Sequence, residues 1–304
     1  QAQAQDGGKP ENAASAPPDS ATAPTARFHP VLSAAVVAPH TAELFWLAAL
    51  QVRKVTTTRP QDTTRVKESY AQQILQFNYG LPTKLVLNVG LDVYVVSQRI
   101  DANLNRPFWK IAGKSDAAGV SRHAVQFLAP RVRIMPFRRL PELIYQGSLL
   151  LPAMRNDQLR QQFGADRVTW QNQLIFYQHL LPRFTAQLQA SYALSPRNRR
   201  RRQTTHGLAY SLVGIYRLPA NRLYALASVA YGENRESSFL TRWQRVRYDV
   251  TAGAGAYWQA GPRASLVALA ELPVRYDLGS LISEVQPRSW WKVTAGVNYR
   301  FARK

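Results

Sequence analysis

Residues 77–95 read FNYGLPTKLVLNVGLDVYV, and the pattern of this stretch decides the kind of fold. After a turn at residues 80–82, apolar residues take every second position from Leu85 to Val95, while Lys84, Asn88, Gly90 and Asp92 lie on the other parity. This period of two predicts a β-strand with one apolar and one polar face. Such a strand fits either a soluble sandwich or a barrel that turns its apolar face to lipid.

The composition narrows the classes of partner and site. The chain has 304 residues, with 39 Lys+Arg against 18 Asp+Glu and a formal charge of +21, which favours an anionic partner such as nucleic acid, lipid phosphate or an anionic solute. It has no cysteine, so disulfides and thiolate metal sites are excluded. No apolar run approaches the roughly 20 residues that a membrane helix needs.

Turns and loops alternate along the chain. Proline marks five short turns, at Leu81-Pro82, Leu140-Pro141, Leu181-Pro182, Leu218-Pro219 and Gly261-Pro262. Longer polar stretches alternate with them, at about 58–68, 98–122, 155–167, 196–205, 233–244 and 277–288. Tight turns on one side and longer loops on the other are typical of an outer-membrane barrel, whereas a soluble sandwich has no reason to sort its loops this way.

The segments between these connections predict about twelve strands. They lie near 43–57, 69–80, 83–97, 123–136, 142–153, 168–180, 183–195, 206–218, 222–232, 245–259, 263–276 and 289–303. The predicted fold is all-β, a closed antiparallel transmembrane β-barrel at 43–304. Residues 1–42, rich in Ala, Pro, Ser, Thr and Gln, are expected to form a flexible periplasmic segment. The start QAQAQDGG is similar to the end of a cleavage site, so export with a cleaved signal peptide is expected.

Aromatic spacing supports a membrane-sized apolar band. Tyr248 and Trp258 are ten residues apart on one face, as are Trp291 and Phe301, which gives about 25 Å along the membrane normal for a tilted strand.

Two of the predicted strands fit the alternating pattern less well. In 123–136, Gln126 shares the parity of apolar residues and Pro130 interrupts the ladder, which indicates a bulge or a misplaced start. In 43–57, Phe45 and Leu47 fall on the inner face.

With these features in place, the chain resembles bacterial outer-membrane barrel proteins of the transporter type. More narrowly, it resembles the family named for the meta-pathway of phenol degradation and its Bacteroidetes relatives. The stretches that carry the resemblance are FNYGLPTKLVLNVGLDVYV, LAPRVRIMP, YQGSLLLPA, TWQNQLIFYQHLLPRFTAQLQ and WWKVTAGVNYRFARK. The resemblance covers about 68–304 and implies a pore or uptake channel for small molecules in a Gram-negative outer membrane. It carries over no binding residue.

Motifs for other chemistry are weak. Gly113-Lys114-Ser115 lacks the glycine that a phosphate-binding loop would need where Phe108 stands. The five histidines form no HExxH motif, and no GxSxG elbow is present, so no enzyme, cofactor or metal site is expected. The basic run at 197–202 lies in a predicted outer loop. There, contact with lipopolysaccharide phosphates or plain solvation is expected rather than nucleic acid.

Function would then reside in the lumen. The charged residues of inward parity are Lys84, Asp92, Arg131, Arg133, Arg217, Arg245, Arg247, Asp249, Glu271, Arg275, Lys292 and Arg300. Inward amides accompany them: Gln72, Gln76, Asn88, Gln171, Gln173, Gln187, Gln189 and Asn298. Because positive charge predominates, we expect a monomeric channel or facilitator for small polar or anionic solutes, in contact with membrane lipid and lipopolysaccharide. The alternative is that inward charges pair and brace a plugged structural or assembly barrel, which binds a partner protein through its loops or N-terminal segment.

Overall fold

The structure is a computed structural model that describes residues 36–59, 62–83, 86–137, 139–197, 203–219, 222–238, 241–277 and 285–302. Twelve antiparallel strands form one closed sheet in sequence order, and β1 closes the barrel by pairing with β12. This confirms the predicted fold class. Closure leaves no unpaired sheet edge, which matters because an unpaired backbone group in hydrocarbon costs several kcal/mol.

The strands agree closely with the predicted segments. They are β1 Thr41–Arg59, β2 Asp62–Leu81, β3 Leu87–Asp101, β4 Gly119–Ile134, β5 Leu143–Pro152, β6 Thr169–Leu181, β7 Phe184–Ser195, β8 Thr204–Arg217, β9 Leu223–Ser238, β10 Thr241–Trp258, β11 Ala264–Asp277 and β12 Val285–Ala302. All five proline-marked turns fall between strands. We call the end of the barrel with these turns the turn end, and the opposite end the loop end.

The alternation read from the opening stretch holds in three dimensions. On β3, Asn88 and Asp92 are buried inside the barrel, whereas Val89 and Leu91 are exposed on its outer wall. Each of the twelve strands exposes at least one large apolar side chain on that wall. A continuous apolar outer surface of this kind is stable only against lipid, because water would have to cover it at a cost proportional to its area.

Two of the predicted loops are wrong. The polar stretches 58–68 and 233–244 are mostly strand, since β2 begins at Asp62, β9 runs to Ser238 and β10 begins at Thr241. The strands continue beyond the apolar belt as hairpins. The polar residues of these segments indicate that the strands are in contact with water there. They do not mark the end of the hydrogen bonding between strands.

Bulges explain the strands whose parity was irregular. The register between β3 and β4 shifts at Tyr94/Val95, which places one extra residue at Gln126. A second shift, between β10 and β11 at Val250/Thr251, inserts one extra residue on β11. An inserted residue exchanges the inner and outer faces of everything that follows it.

The two longest connections at the loop end fold in opposite directions. Residues 102–118, between β3 and β4, lie on the outer wall and include a 3₁₀ turn at Phe108–Ala112. Residues 153–168, between β5 and β6, fold into the barrel and include helix α1, Asp157–Gln162. No helix among the described residues is long and apolar enough to span a bilayer.

Candidate functional site

The interior at the turn end is apolar rather than aqueous. Side chains from β1, β8, β9 and β11 point inward and pack together in one buried cluster, which we call the turn-end cluster: Phe45, Leu47, Val213, Leu226, Val267 and Leu269. Sequence reasoning missed this cluster, although the inward parity of Phe45 and Leu47 in β1 was its signal. At this level of the barrel the described inward side chains are therefore packed and apolar.

Residues just before β1 also enter the turn end. The backbone amide of Val37 donates to Asn88 Oδ1 at 2.8 Å, and Asn88 Nδ2 donates to the Val37 carbonyl at 2.9 Å. Val36 packs against a second small group that contains Ile144 and Ile175. We call residues 36–38 the mouth segment; residues 1–35 of the expected flexible segment lie outside the described residues.

The close approach of the mouth segment depends on a glycine in β2. A Cβ added at Gly80 would stand 2.1 Å from the carbonyl oxygen of Ala38, well inside the van der Waals limit. The backbone of the segment can therefore lie against the wall only where the side chain is a hydrogen atom.

The inward charges form ion pairs and amide networks. Arg131 Nη2 lies 3.1 Å from Asp92 Oδ1, and both residues are buried. Lys292 Nζ lies 2.6 Å from Glu271 Oε2 across β11 and β12. A charge that is buried in a barrel wall needs such a partner, since an isolated ion there costs several kcal/mol in lost hydration.

Glu43 anchors the closing seam of the barrel. Its carboxylate, fully buried, accepts hydrogen bonds from Arg300 Nε at 2.8 Å, Asn298 Nδ2 at 3.2 Å and Asn78 Nδ2 at 3.3 Å. These donors come from β12 on one side and β2 on the other. Arg133, also buried, donates instead to Gln146 Oε1 from Nη2 at 2.7 Å and from Nε at 3.0 Å.

The structure distributes the twelve predicted lumen residues unevenly. Six point into the barrel: Asp92, Arg131, Arg133, Glu271, Lys292 and Arg300. Asp249 is half-buried on β10, and Arg217 is exposed at the turn end. Lys84 lies outside the described residues, and so do the side chains of Arg245 and Arg247, whose backbones belong to β10.

Arg275 was placed on the wrong face. Because of the extra residue in β11, Arg275 pairs with Val250, an outward position, and its Cζ lies 5.9 Å from the ring centroid of Tyr248. Strict alternation, counted without the bulge, had assigned it to the lumen.

A cavity of about 190 Å³ occupies the loop-end half of the lumen. Amides from five strands line it, together with hydroxyls from β6, β7 and β8 and apolar groups from β2, β3 and β4. The amides are Gln72, Gln76, Gln126, Gln146, Gln171, Gln173 and Asn234. The described residues that line this cavity include no charged side chain.

Some of the amides of the cavity wall retain unused hydrogen-bonding capacity. Gln146 Nε2 donates to Gln173 Oε1 at 2.8 Å, and Gln72 Nε2 donates to Gln126 Oε1 at 3.3 Å. The Oε1 atom of Gln72 is buried without a hydrogen-bond partner among the described residues. A buried acceptor of this kind is stabilised when a water or a solute donates to it.

The connection between β5 and β6 forms part of the cavity wall. Helix α1 starts at Asn156, whose side chain accepts from the amides of Gln158 and Leu159 at 2.9 and 3.2 Å. After the helix, Phe163 is only 1% exposed and its ring lies 6.3 Å from that of Tyr70. The stretch predicted as an outer loop at 155–167 thus narrows the lumen from inside.

Ser97 lies within hydrogen-bond reach of His123. Ser97 Oγ is 2.9 Å from His123 Nδ1 on the outer wall, and His123 Nε2 is 3.4 Å from the Gly113 carbonyl. A serine hydrolase needs a carboxylate or amide to orient the base, as well as donors for an oxyanion. Among the described residues no such carboxylate contacts His123. The described residues also hold no group of three His, Asp or Glu that could bind a metal.

Comparison with known proteins shows that the chain is similar in fold to solved structures. No protein-family model and no curated protein matches the chain. The chain is similar to the outer membrane channel from Pseudomonas putida F1, with 14% identity, a TM-score of 0.62, and coverage of 90% of this chain and 100% of that one.

Two further solved structures match with lower scores. The β domain of the Bordetella autotransporter Brka matches with 13% identity, a TM-score of 0.44, and coverage of 86% of this chain and 100% of that one. The deltaS2 mutant of the TodX monoaromatic hydrocarbon channel matches with 7% identity, a TM-score of 0.43, and coverage of 88% and 91%. The match to the Pseudomonas putida channel, together with the closed twelve-stranded sheet, shows the fold of an outer-membrane β-barrel.

Proposed function

We propose that this chain is an outer-membrane channel or facilitator that passes small uncharged solutes with polar groups. The observation that carries the proposal is the cavity wall of glutamine amides and hydroxyls, which offers donors and acceptors but no charge. Amides and hydroxyls can exchange hydrogen bonds with a passing solute, so that the solute leaves water without losing its partners.

The pairing of inward charges supports uncharged solutes over anions. Arg131 is paired with Asp92, Lys292 with Glu271, and Arg300 with Glu43. A paired cation attracts a third charge far less than an isolated one does, because the field of its carboxylate opposes its own. These three inward cations therefore contribute no net charge to the lumen.

Placement in the outer membrane is supported by the outer wall and by the fold. Apolar side chains cover the wall of every strand, as contact with lipid acyl chains requires. The similarity of fold to the Pseudomonas putida outer membrane channel also supports this placement. We also propose that the chain is a member of the outer-membrane family named for the meta-pathway of phenol degradation.

A second candidate is a plugged barrel with a structural or assembly role. The turn-end cluster and the mouth segment together favour it, because both place packed groups inside the barrel at the turn end. In that case the cavity would be a dead end, and the barrel would act through the surfaces that it offers to a partner protein.

Permeability of reconstituted liposomes separates these functions. We expect uncharged solutes such as glycerol or a monosaccharide to enter faster than a carboxylate of similar size. Gln173→Leu, in the cavity wall, should lower that rate severalfold, because it removes an amide that can hydrogen-bond the solute.

The matched control is Gln187→Leu, the same change at a buried amide that does not line the cavity. Faster entry of the carboxylate would support the basic, anion-selective lumen. No entry of any solute, and no current in planar bilayers, would support the plugged barrel.

A further inference from the structure

The connection between β3 and β4, residues 102–118, lies on the outer wall near the loop end, and we call it the strap. Arg99 has outward parity on β3, yet the strap buries it almost completely. Its Nη1 atom donates to the carbonyl oxygens of Lys114 at 3.1 Å and Lys110 at 3.5 Å. One guanidinium therefore fixes two points of the strap against the wall and brings the two lysine backbones close together.

The acidic groups of this region are used internally. Arg99 Nε lies 2.9 Å from Asp101, and its Nη2 lies 3.0 Å from Asp116. Arg106 Nη1 adds a contact of 2.6 Å with Asp116. Hydrogen bonds from Arg106 and Arg99 hold the pKa of the Asp116 carboxyl well below its usual range. Both carboxylates thus contact arginines, and Asp101 also lies opposite Lys67 in the sheet.

The strap carries an aromatic ridge to the border of the apolar belt. Trp109 is 64% exposed, and its ring lies 5.3 Å from that of Phe108. The Phe108 ring in turn lies 5.7 Å from that of Trp291, on the outer face of β12. Val52, the partner of Trp291 in β1, is buried at this place although its parity is outward. Aromatic rings at such a border lie at the level of lipid headgroups.

Three exposed lysines surround the ridge. Lys54 lies two residues beyond Val52, about 7 Å nearer the loop end. It stands directly opposite Lys67 on β2, and Lys67 in turn stands opposite Asp101 on β3. Lys67 Nζ donates to the Arg106 carbonyl, whereas Lys54, Lys110 and Lys114 have no carboxylate partner among the described residues.

We propose that this surface binds a phosphorylated lipid of the outer leaflet. Its acyl chains pack against Phe108, Trp109 and Trp291, and its phosphates meet the ammonium groups of Lys54, Lys110 and Lys114. The position of Lys54 matches the lipid: the Trp291 ring lies at the border of the apolar belt, and Lys54 lies about 7 Å farther out along β1. Ammonium–phosphate contacts are charge-assisted hydrogen bonds, which are stronger than neutral ones. The proposal rests on outer-membrane placement but needs no conducting lumen.

Native mass spectrometry of the barrel in detergent micelles tests the proposal, with bisphosphorylated lipid A as the probe. We expect a saturable one-to-one adduct with the full chain. The triple variant Lys54→Gln/Lys110→Gln/Lys114→Gln should weaken it about tenfold, as expected for three exposed ionic contacts. Trp109→Ala should weaken it severalfold through loss of acyl-chain contact.

The matched control carries Arg155→Gln, an exposed cation near the loop end on a connection away from the strap. It should bind as the unmodified protein does. Equal binding by the triple variant and this control would overturn the proposal, and so would equal binding of phosphatidylcholine. Full competition by inorganic phosphate at the same concentration would also overturn it, since that outcome describes a free-anion site.

The outcome is separable from the proposed function. The triple variant should leave liposome permeability unchanged, because none of its three lysines lines the cavity. A barrel that passes no solute but binds lipid A through the strap would refute the channel and leave this inference standing. Migration of unheated samples on SDS gels establishes that each variant is folded.

Discussion

Asn88→Ala is expected to release the mouth segment from the turn end. The change removes both hydrogen bonds between the Asn88 side chain and the Val37 backbone, at 2.8 and 2.9 Å. A hydrogen bond of this kind contributes about 1 kcal/mol net, so the docked state should lose about 2 kcal/mol relative to the undocked state. That corresponds to an increase of about thirtyfold in the undocked fraction.

Thiol labelling measures this fraction directly. The chain contains no cysteine, so Val37→Cys introduces a single thiol at a site that is 3% exposed. The rate of maleimide labelling then follows the population in which the segment has left the barrel. We expect Val37→Cys/Asn88→Ala to label about thirtyfold faster than Val37→Cys alone, as the shift in population requires.

The matched control is Gln187→Ala in the same background. Gln187 is another buried inward amide, and its side-chain atoms make no hydrogen bond among the described residues. It should leave the labelling rate unchanged. Equal rates for Asn88→Ala and the parent would refute the reasoning, because the two hydrogen bonds would then contribute nothing to docking.

Three further outcomes are expected. Asp92→Asn leaves the buried charge of Arg131 without its carboxylate and should lower the free energy of unfolding by about 3–5 kcal/mol, measured by urea denaturation in detergent; recovery is expected on adding Arg131→Gln. Phe163→Ala should free the connection around α1 and raise single-channel conductance, whereas unchanged conductance would show that Phe163 does not narrow the pathway. Because the pKa of Asp116 is depressed in the folded state, its ion pairs should stabilise the strap above about pH 4 and weaken only as pH falls through the lowered value. Amide exchange in the strap, corrected for intrinsic rates, should therefore stay constant from about pH 7 to about pH 4, and loss of protection within that window would contradict it.

The alternation of polar and apolar residues predicted which side chains face the lumen and which face outward. It did so because successive side chains of a regular strand point to opposite faces of the sheet. Asn88 and Asp92 point inward and Val89 and Leu91 outward, as the alternation of the opening stretch requires. The same rule failed at Arg275, where an extra residue in β11 reverses the faces. A bulge is a property of the pairing between two strands, and a single strand read alone does not contain it.

The character of the interior was harder to predict than the wall. Composition indicated a basic lumen, but the neutralisation of Arg131 by Asp92 depends on a register that joins residues far apart in the sequence. Likewise, Phe45 and Leu47 looked like an error in β1, and only the inward faces of β8, β9 and β11 show that they belong to a packed cluster. In a narrow barrel the space between facing strands is filled by side chains, so inward positions need not be polar.

The bond network of Glu43 has a consequence for biogenesis. Its charged partner, Arg300, lies 257 residues away along the chain, on β12. Until β12 arrives, a nascent sheet carries this carboxylate at an open seam, where transfer from water into hydrocarbon is penalised. Full burial of Glu43 is thereby coupled to closure of the barrel, because two of its three hydrogen-bond donors arrive only when β12 pairs with β1.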